Sequence, residues 1–290
     1  MKRSIASGGT RAAGARTAFF VGALLLAGCS AAPTASDAVS TGSLTVSAAV
    51  ANADADAQAE FPPGEKGRLI VYGHDLFTKT PALAGKFVTA GMSCEACHLD
   101  AGRKAHAGSL LGIYAQFPQW NKRSHRFIAL QDRIAECFLY SMNGRPPAYD
   151  SREMIALTAY IAFLSKGARV GYGFPGQGLV AFKPEHTPSV AAGGAIFGSR
   201  CAACHGANGD GGTGGFPPLW GAKSFNNGAG MHRLGTMAAF VRYNMPFGSP
   251  PNTLGAQEAY DVSAFVLSHP RPQFAASRTI AFPPQPARSF

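Results

Sequence analysis

Two stretches of this chain, Met92-Ser-Cys94-Glu-Ala-Cys97-His98 and Cys201-Ala-Ala-Cys204-His205, restrict its possible folds more than anything else in it. Two thiols separated by two residues can form thioethers with the two vinyl groups of one haem, and the histidine that follows can coordinate the iron. A chain with six cysteines that places four of them in two such motifs is expected to carry two haem c groups. Paired redox dithiols or zinc half-sites are the competing reading. A zinc site needs a second ligand pair beside each motif, and the sequence offers none.

That expectation makes sense of the composition. Gly (35) and Pro (20) are abundant and charged residues are only 14 %, so loops must be many. A porphyrin supplies the apolar core that long regular elements would otherwise provide. The fold class expected is mainly α, two tandem cytochrome c domains with one covalent haem each. Cys94, Cys97, Cys201 and Cys204 take the haems, leaving Cys29 and Cys137, and no disulfide is required.

Residues 1–28 carry Lys2, Arg3, Arg11 and Arg16, no acid, and an apolar run from Ala18 to Ala27. The run is too short for the roughly 20 apolar residues of a spanning helix and reads as a secretory leader. It ends in Leu26-Ala27-Gly28-Cys29, which resembles the lipobox of bacterial lipoproteins, implying acylation of Cys29 and anchoring through several chains. The expected location is the periplasm, lipid-anchored, and Ser30 after the cysteine points to the outer membrane in a cell with two. Loss of the four leader cations takes the formal +10 to +6. An exported basic haem protein suits anionic substrates or an acidic redox partner rather than nucleic acid.

Residues 29–60 are Ala, Ser, Thr and Asp with almost no large apolar side chain, too little to bury a core, and read as a tether. The first haem domain is assigned to residues 61–170, a Gly- and Pro-rich linker to 171–188 and the second domain to 189–290. Loosely helical spacing runs from Gly73 to Gly91, and helices are expected over 130–142, 151–165, 189–200 and 256–268. Both halves read as helix, haem motif, loops, distal segment and closing helix, an internal repeat.

An electron-transfer haem usually has a second axial ligand. In the second half Met245-Pro246 is the candidate, with Met231 and His232 as competitors. To within one residue, Cys137 stands as far after His98 as Met245 stands after His205. Met142 is the alternative there, and a merely buried thiol is the ordinary state of such a cysteine. Thiolate ligation would occupy an otherwise free thiol and push electron density onto the iron.

Further residues carry a resemblance. The runs Cys94-Glu-Ala-Cys97-His98-Leu-Asp-Ala-Gly102, Phe117-Pro-Gln-Trp-Asn-Lys-Arg123-Ser, Asp132-Arg133-Ile-Ala-Glu-Cys137 and Ser141-Met-Asn-Gly144 resemble the dihaem thiosulfate dehydrogenases. The first domain of that family is similar to the A subunit of the Sox cytochrome. The resemblance spans about residues 66–270; Trp220, Gly228-Ala-Gly-Met231 and Asn244-Met245-Pro246 extend it more generically through the second domain.

The resemblance implies an enzyme that joins two thiosulfates into tetrathionate, in some members reversibly, and passes two electrons to a soluble or membrane cytochrome. It implies His98 and Cys137 as the ligands of an active-site haem, and His205 and Met245 as those of an exit haem. Many members have a lysine before the distal methionine where this chain has Asn244, so Met245 is expected to ligate without lysine exchange. Arg123 and Arg133 match arginines of the family and are assigned to the sulfonates, because coupling two dianions needs fixed positive charge; Arg126, Lys122 and Arg103 are further candidates. Cys137 is assigned a covalent thiosulfonate intermediate. A Sox-type sulfur-transferase subunit and a non-catalytic dihaem carrier are the alternatives.

Overall fold

A computed structural model describes residues 61–274 apart from residue 213. The expected leader, the tether and Cys29 lie outside the described residues. Helix α1 (Gly64–Thr78) buries Gly67, Ile70, Gly73 and Phe77, a stripe at near-helical spacing. It is followed at once by the single turn α2 (Thr80–Leu83). There the Thr80 hydroxyl donates to Leu76 O (2.7 Å) and accepts from the backbone N–H of Cys94 (3.2 Å), tying the end of α1 to the first haem motif. Strands β1 (Gln119–Asn121) and β2 (Arg126–Ile128) form a small antiparallel hairpin. Helices α3 (Leu130–Tyr140) and α4 (Arg152–Phe163) complete the first half. The second half consists of α5 (Val190–Arg200), α6 (Ala202–His205), α7 (Leu234–Asn244) and α8 (Ala256–Ser268).

The starts of these helices follow local chemistry. Ser151 Oγ accepts from Met154 N and Ser189 Oγ from Ala192 N, each at 3.2 Å, filling donors that a first turn leaves open. The Asp132 carboxylate reaches back to Ala129 N (2.9 Å) and does the same for α3.

The internal repeat is visible in the packing. In the first half α1 crosses α4, and in the second α5 crosses α8. Each crossing is made at a glycine. A Cβ on Gly73 would lie 2.1 Å from Ala156 O, and one on Gly193 would lie 2.0 Å from Asp261 O. Each closing helix also uses a tyrosine hydroxyl to hold a loop, Tyr160 to Ala101 O (2.5 Å) and Tyr260 to Phe182 O (2.9 Å). Gly73→Ala is therefore expected to cost about 1–3 kcal/mol, the usual range for overpacking a rigid contact. Thermal unfolding of the haem-loaded protein checks it, and an unchanged Tm would show that the crossing can open without loss.

The two halves share a core. Met92, Leu139, Tyr140 and Met142 of the first half pack in one cluster with Phe197, Met237 and Val262 of the second. Polar clasps close the same seam: Asn226 Nδ2 donates to Leu139 O (2.8 Å), and Asn244 Nδ2 to His106 O (3.1 Å). Part of the expected linker belongs to the first half. Gln177 accepts from Phe174 N (3.0 Å), donates to Leu111 O (2.7 Å) and pairs with Gln116.

Where the elements differ from expectation, the reasons are local. Helix α1 begins well before Gly73 although its first two turns hold two glycines, Gly64 and Gly67, and follow Pro62-Pro63. Helix α7 occupies the distal segment of the second half, where Gly235 and Thr236 are poor helix formers at its opening. The hairpin strands are three residues each, too short for a periodicity.

Candidate active site

Helix α3 presents one continuous stripe to a cavity of about 440 Å³. Leu130, Arg133, Ile134, Cys137 and Phe138, with Ser141 just past the helix end, lie three, four, seven, eight and eleven residues along from Leu130, so they share a face. Cys94, Cys97 and His98 line the same space. The first motif, Cys137 and Arg133, far apart or undetermined in the sequence, are thus brought to one cavity. Met142, the alternative to Cys137, lines it as well.

The donor set fits a haem c. His98 Nδ1 pairs with Gly108 O at 2.5 Å, an arrangement that leaves Nε2 available to ligate an iron. Gly108 itself has a φ of +63°, and a Cβ there would press on His98 Nδ1 at 3.0 Å. Burial pushes the His98 imidazole pKa down, with Arg133 adding to it, in the direction of the neutral ring that a ligand needs. Burial likewise pushes the Cys94 and Cys97 thiols up to about 12. An apolar wall that rejects a thiolate accepts an uncharged thioether.

Cys137 is different. Burial raises its pKa, but Arg133 acts in the opposite direction. The arginine in turn is held above its ordinary range chiefly by the Cys137 sulfur. Its side chain is 53 % exposed, so it reaches both the cavity and solvent from which an anion arrives. Glu136, buried beneath, accepts from Arg133 Nη1 (2.8 Å) and from Asn121 Nδ2 of the hairpin (2.8 Å), and so orients the guanidinium. Glu136 belongs to no motif; its place three residues after Arg133 is its one sequence signal.

Arg123 is not brought to this cavity. Its Nη2 donates to Gly228 O (2.7 Å) and its guanidinium lies 3.8 Å over the Tyr140 ring, a clasp between the two halves. Arg126 is turned toward Asp132 (3.3 Å) at the start of α3. Neither lines the cavity, nor do Lys122 and Arg103.

A second cavity of about 340 Å³ is lined by Cys201, Cys204, His205 and Met245. Both cavities fall within the ~300–1,000 Å³ usual for cofactor sites. His205 Nδ1 pairs with Pro217 O (3.1 Å), repeating the arrangement of His98. Burial raises the Cys201 thiol pKa to about 11 and lowers that of His205. Met231 and Met237 also line this space, whereas His232 does not. Asn244 is fully buried with its amide turned to His106 O and Phe240 O, away from the cavity.

Met92, Ser93 and Cys97 line both cavities, so one segment of chain separates them.

The SoxA/TsdA cytochrome c domain family matches residues 74–170, and the cytochrome c family matches residues 190–270. The chain is 42 % identical over 227 residues to the thiosulfate dehydrogenase of Allochromatium vinosum, covering 75 % of this chain and 84 % of that protein. It is 41 % identical over 221 residues to the thiosulfate dehydrogenase of Stutzerimonas stutzeri, covering 74 % and 72 %. Among solved structures, thiosulfate dehydrogenase (TsdBA) from Marichromatium purpuratum superposes with a TM-score of 0.70 at 35 % identity. That match covers 74 % of this chain and 48 % of the solved one, so this chain spans about half of that protein's length.

Proposed function

Because the chain belongs to the thiosulfate dehydrogenase family and holds two haem c groups, we propose that it couples two thiosulfate ions into tetrathionate at the cavity formed by Cys137, Arg133 and His98. The observation that carries this is the placement of Arg133 beside Cys137 at the solvent side of the first cavity.

The side chains divide the work. Cys94 and Cys97 would hold the first haem and His98 and Cys137 its iron; Cys201 and Cys204 would hold the second, with His205 and Met245 as its ligands. Arg133 binds the sulfonate of the first thiosulfate, its Nη1 already fixed by Glu136. The terminal sulfur then bonds to Cys137 Sγ, giving Cys137–S–S–SO3⁻ with the loss of two electrons. The terminal sulfur of the second thiosulfate attacks the sulfane sulfur, releasing tetrathionate and returning the Cys137 thiolate. Splitting the reaction this way means that the two dianions never meet directly. The haem c groups, when bound, supply the one chemistry the side chains lack, the acceptance of two electrons one at a time.

The wall shared by the two cavities supports onward transfer through the second site. Phe247, exposed at the rim of that cavity with Lys104 5.8 Å from its ring centre, offers an apolar and basic exit toward an external cytochrome. The lipobox-like Leu26-Ala27-Gly28-Cys29 supports export and lipid anchoring at Cys29 in the periplasm.

The test is an assay with purified protein, thiosulfate and ferricyanide as acceptor. Haem reduction on adding thiosulfate, and one tetrathionate for every two thiosulfates consumed, are expected. A carrier without substrate chemistry shows neither. A sulfur transferase consumes thiosulfate only when a protein thiol acceptor is added, which would overturn the proposal.

A further inference from the structure

Arg271 follows helix α8 and is only 7 % exposed, yet it has no carboxylate partner among the described residues. Its Nη2 donates to Val266 O (2.8 Å), its Nη1 to Leu219 O (3.3 Å), and its guanidinium lies 4.4 Å over the Phe225 ring. Its Nε is buried with no acceptor. Burial draws its pKa down to about 10. Buried charges in folded proteins are paired, so a guanidinium served only by carbonyls and a ring is missing its anion.

His232 repeats the pattern close by. Its Nδ1 is buried without a partner. Burial lowers its imidazole pKa, with the charge of Arg271 as a second cause. A buried guanidinium N–H without an acceptor and a buried ring nitrogen without a partner thus stand in the second half. Buried donors of this kind have acceptors in native proteins.

Arg271 does not itself line the second cavity but stands behind its wall. Leu219 and Val266, which lend Arg271 their carbonyls, line the cavity; so do Phe225, beneath the guanidinium, and Met231, next to His232. The cofactor of that cavity carries two ionised propionates, the acceptors that these donors lack. We infer that Arg271, with His232 beside it, binds a propionate carboxylate of the second haem c. The guanidinium offers a planar fork matched to a carboxylate. A cation held there offsets the propionate charge and raises the reduction potential of the second haem, making it the better electron acceptor of the pair. Arg271 is then a positioning residue that acts on the reaction only through that haem.

This inference rests on the second cavity being a haem site and is independent of the thiosulfate chemistry at Cys137. The test is an optically monitored redox titration of the dihaem protein with Arg271→Gln and Arg271→Lys. The glutamine variant is expected to shift the reduction equilibrium of the second haem at least tenfold toward the oxidised form, about 59 mV for one electron. The first haem should be unmoved, and the lysine variant should keep most of the original potential. An unchanged potential in the glutamine variant, equal shifts at both haems, or a lysine variant as low as glutamine would overturn it. A crystal structure of the unaltered dihaem protein gives a check that no folding defect can disturb. A propionate oxygen within hydrogen-bond reach of the guanidinium is expected, and a propionate turned elsewhere ends the proposal. Thioether attachment and thiosulfate-dependent reduction of the first haem, read on the same samples, separate this failure from a failure of the functional reading.

Discussion

Cys137→Ala leaves both haems attached and lowers thiosulfate turnover by roughly 10³-fold or more, the scale on which enzymes lose activity when a covalent nucleophile is removed. The thioether cysteines are Cys94, Cys97, Cys201 and Cys204, so nothing in the substitution touches attachment. The residue sits within helix α3, where alanine is the best helix former, so the fold is not asked to tolerate a poor substitute. What is lost is the thiol that α3 brings to the cavity lined by Cys94, Cys97 and His98. The absorption spectrum should change at the first haem only. Cys137→Ser, nearly isosteric, should be as inactive, because a hydroxyl at neutral pH neither ligates as a thiolate nor forms a sulfur–sulfur bond. The measurements are haem stoichiometry, the visible spectrum and tetrathionate produced with ferricyanide. Undiminished product from the alanine variant would falsify the covalent step.

Arg133→Met comes second, with kcat/KM expected to fall about 10²-fold. A charge-assisted hydrogen bond is worth about 1.5–3 kcal/mol, and each 1.4 kcal/mol is a factor of ten. The loss should appear in both constants. The first thiosulfate binds more weakly without the cation, raising KM. The second dianion must then approach Cys137–S–S–SO3⁻ with no positive charge to offset the repulsion, lowering kcat. Arg133→Lys should recover part of the activity, less than its charge alone implies, because Glu136 and the substrate share the guanidinium fork and an ammonium cannot serve both in the same geometry. Steady-state kinetics on variants with unaltered haem spectra decide the matter. A methionine variant with unchanged kcat/KM shows that the sulfonate is held by other groups.

The sequence made the haem motifs legible because covalent attachment needs its residues adjacent in the chain. Met245 could be proposed from its spacing and Cys137 from the comparison of the two halves. Helices α4, α5 and α8 were readable for a different reason: Ser151 and Ser189 mark two starts, and each helix carries its own apolar stripe. What escaped depends on distant partners. Arg123 stood in the same block as Arg133 and looked equivalent; only the fold shows that Gly228, from the other half, takes its donor. Arg271 and His232 were invisible as a pair, because neither burial nor a missing acceptor has a sequence signal. Gln177, in a stretch whose glycines read as a linker, is fixed by contacts with Leu111 and Gln116 that no local pattern announces.

The segment Met92–Cys97 has a consequence beyond electron transfer. It is at once the anchor of one cofactor and a wall of the other's pocket, and Met92, Leu139, Tyr140 and Met142 complete a core that the second half cannot close alone. The two units therefore cannot be traded between relatives as free modules. A chimaera that joins the first half of one member to the second half of another must inherit the seam residues from the same parent, and substitutions accepted there must be accepted in pairs.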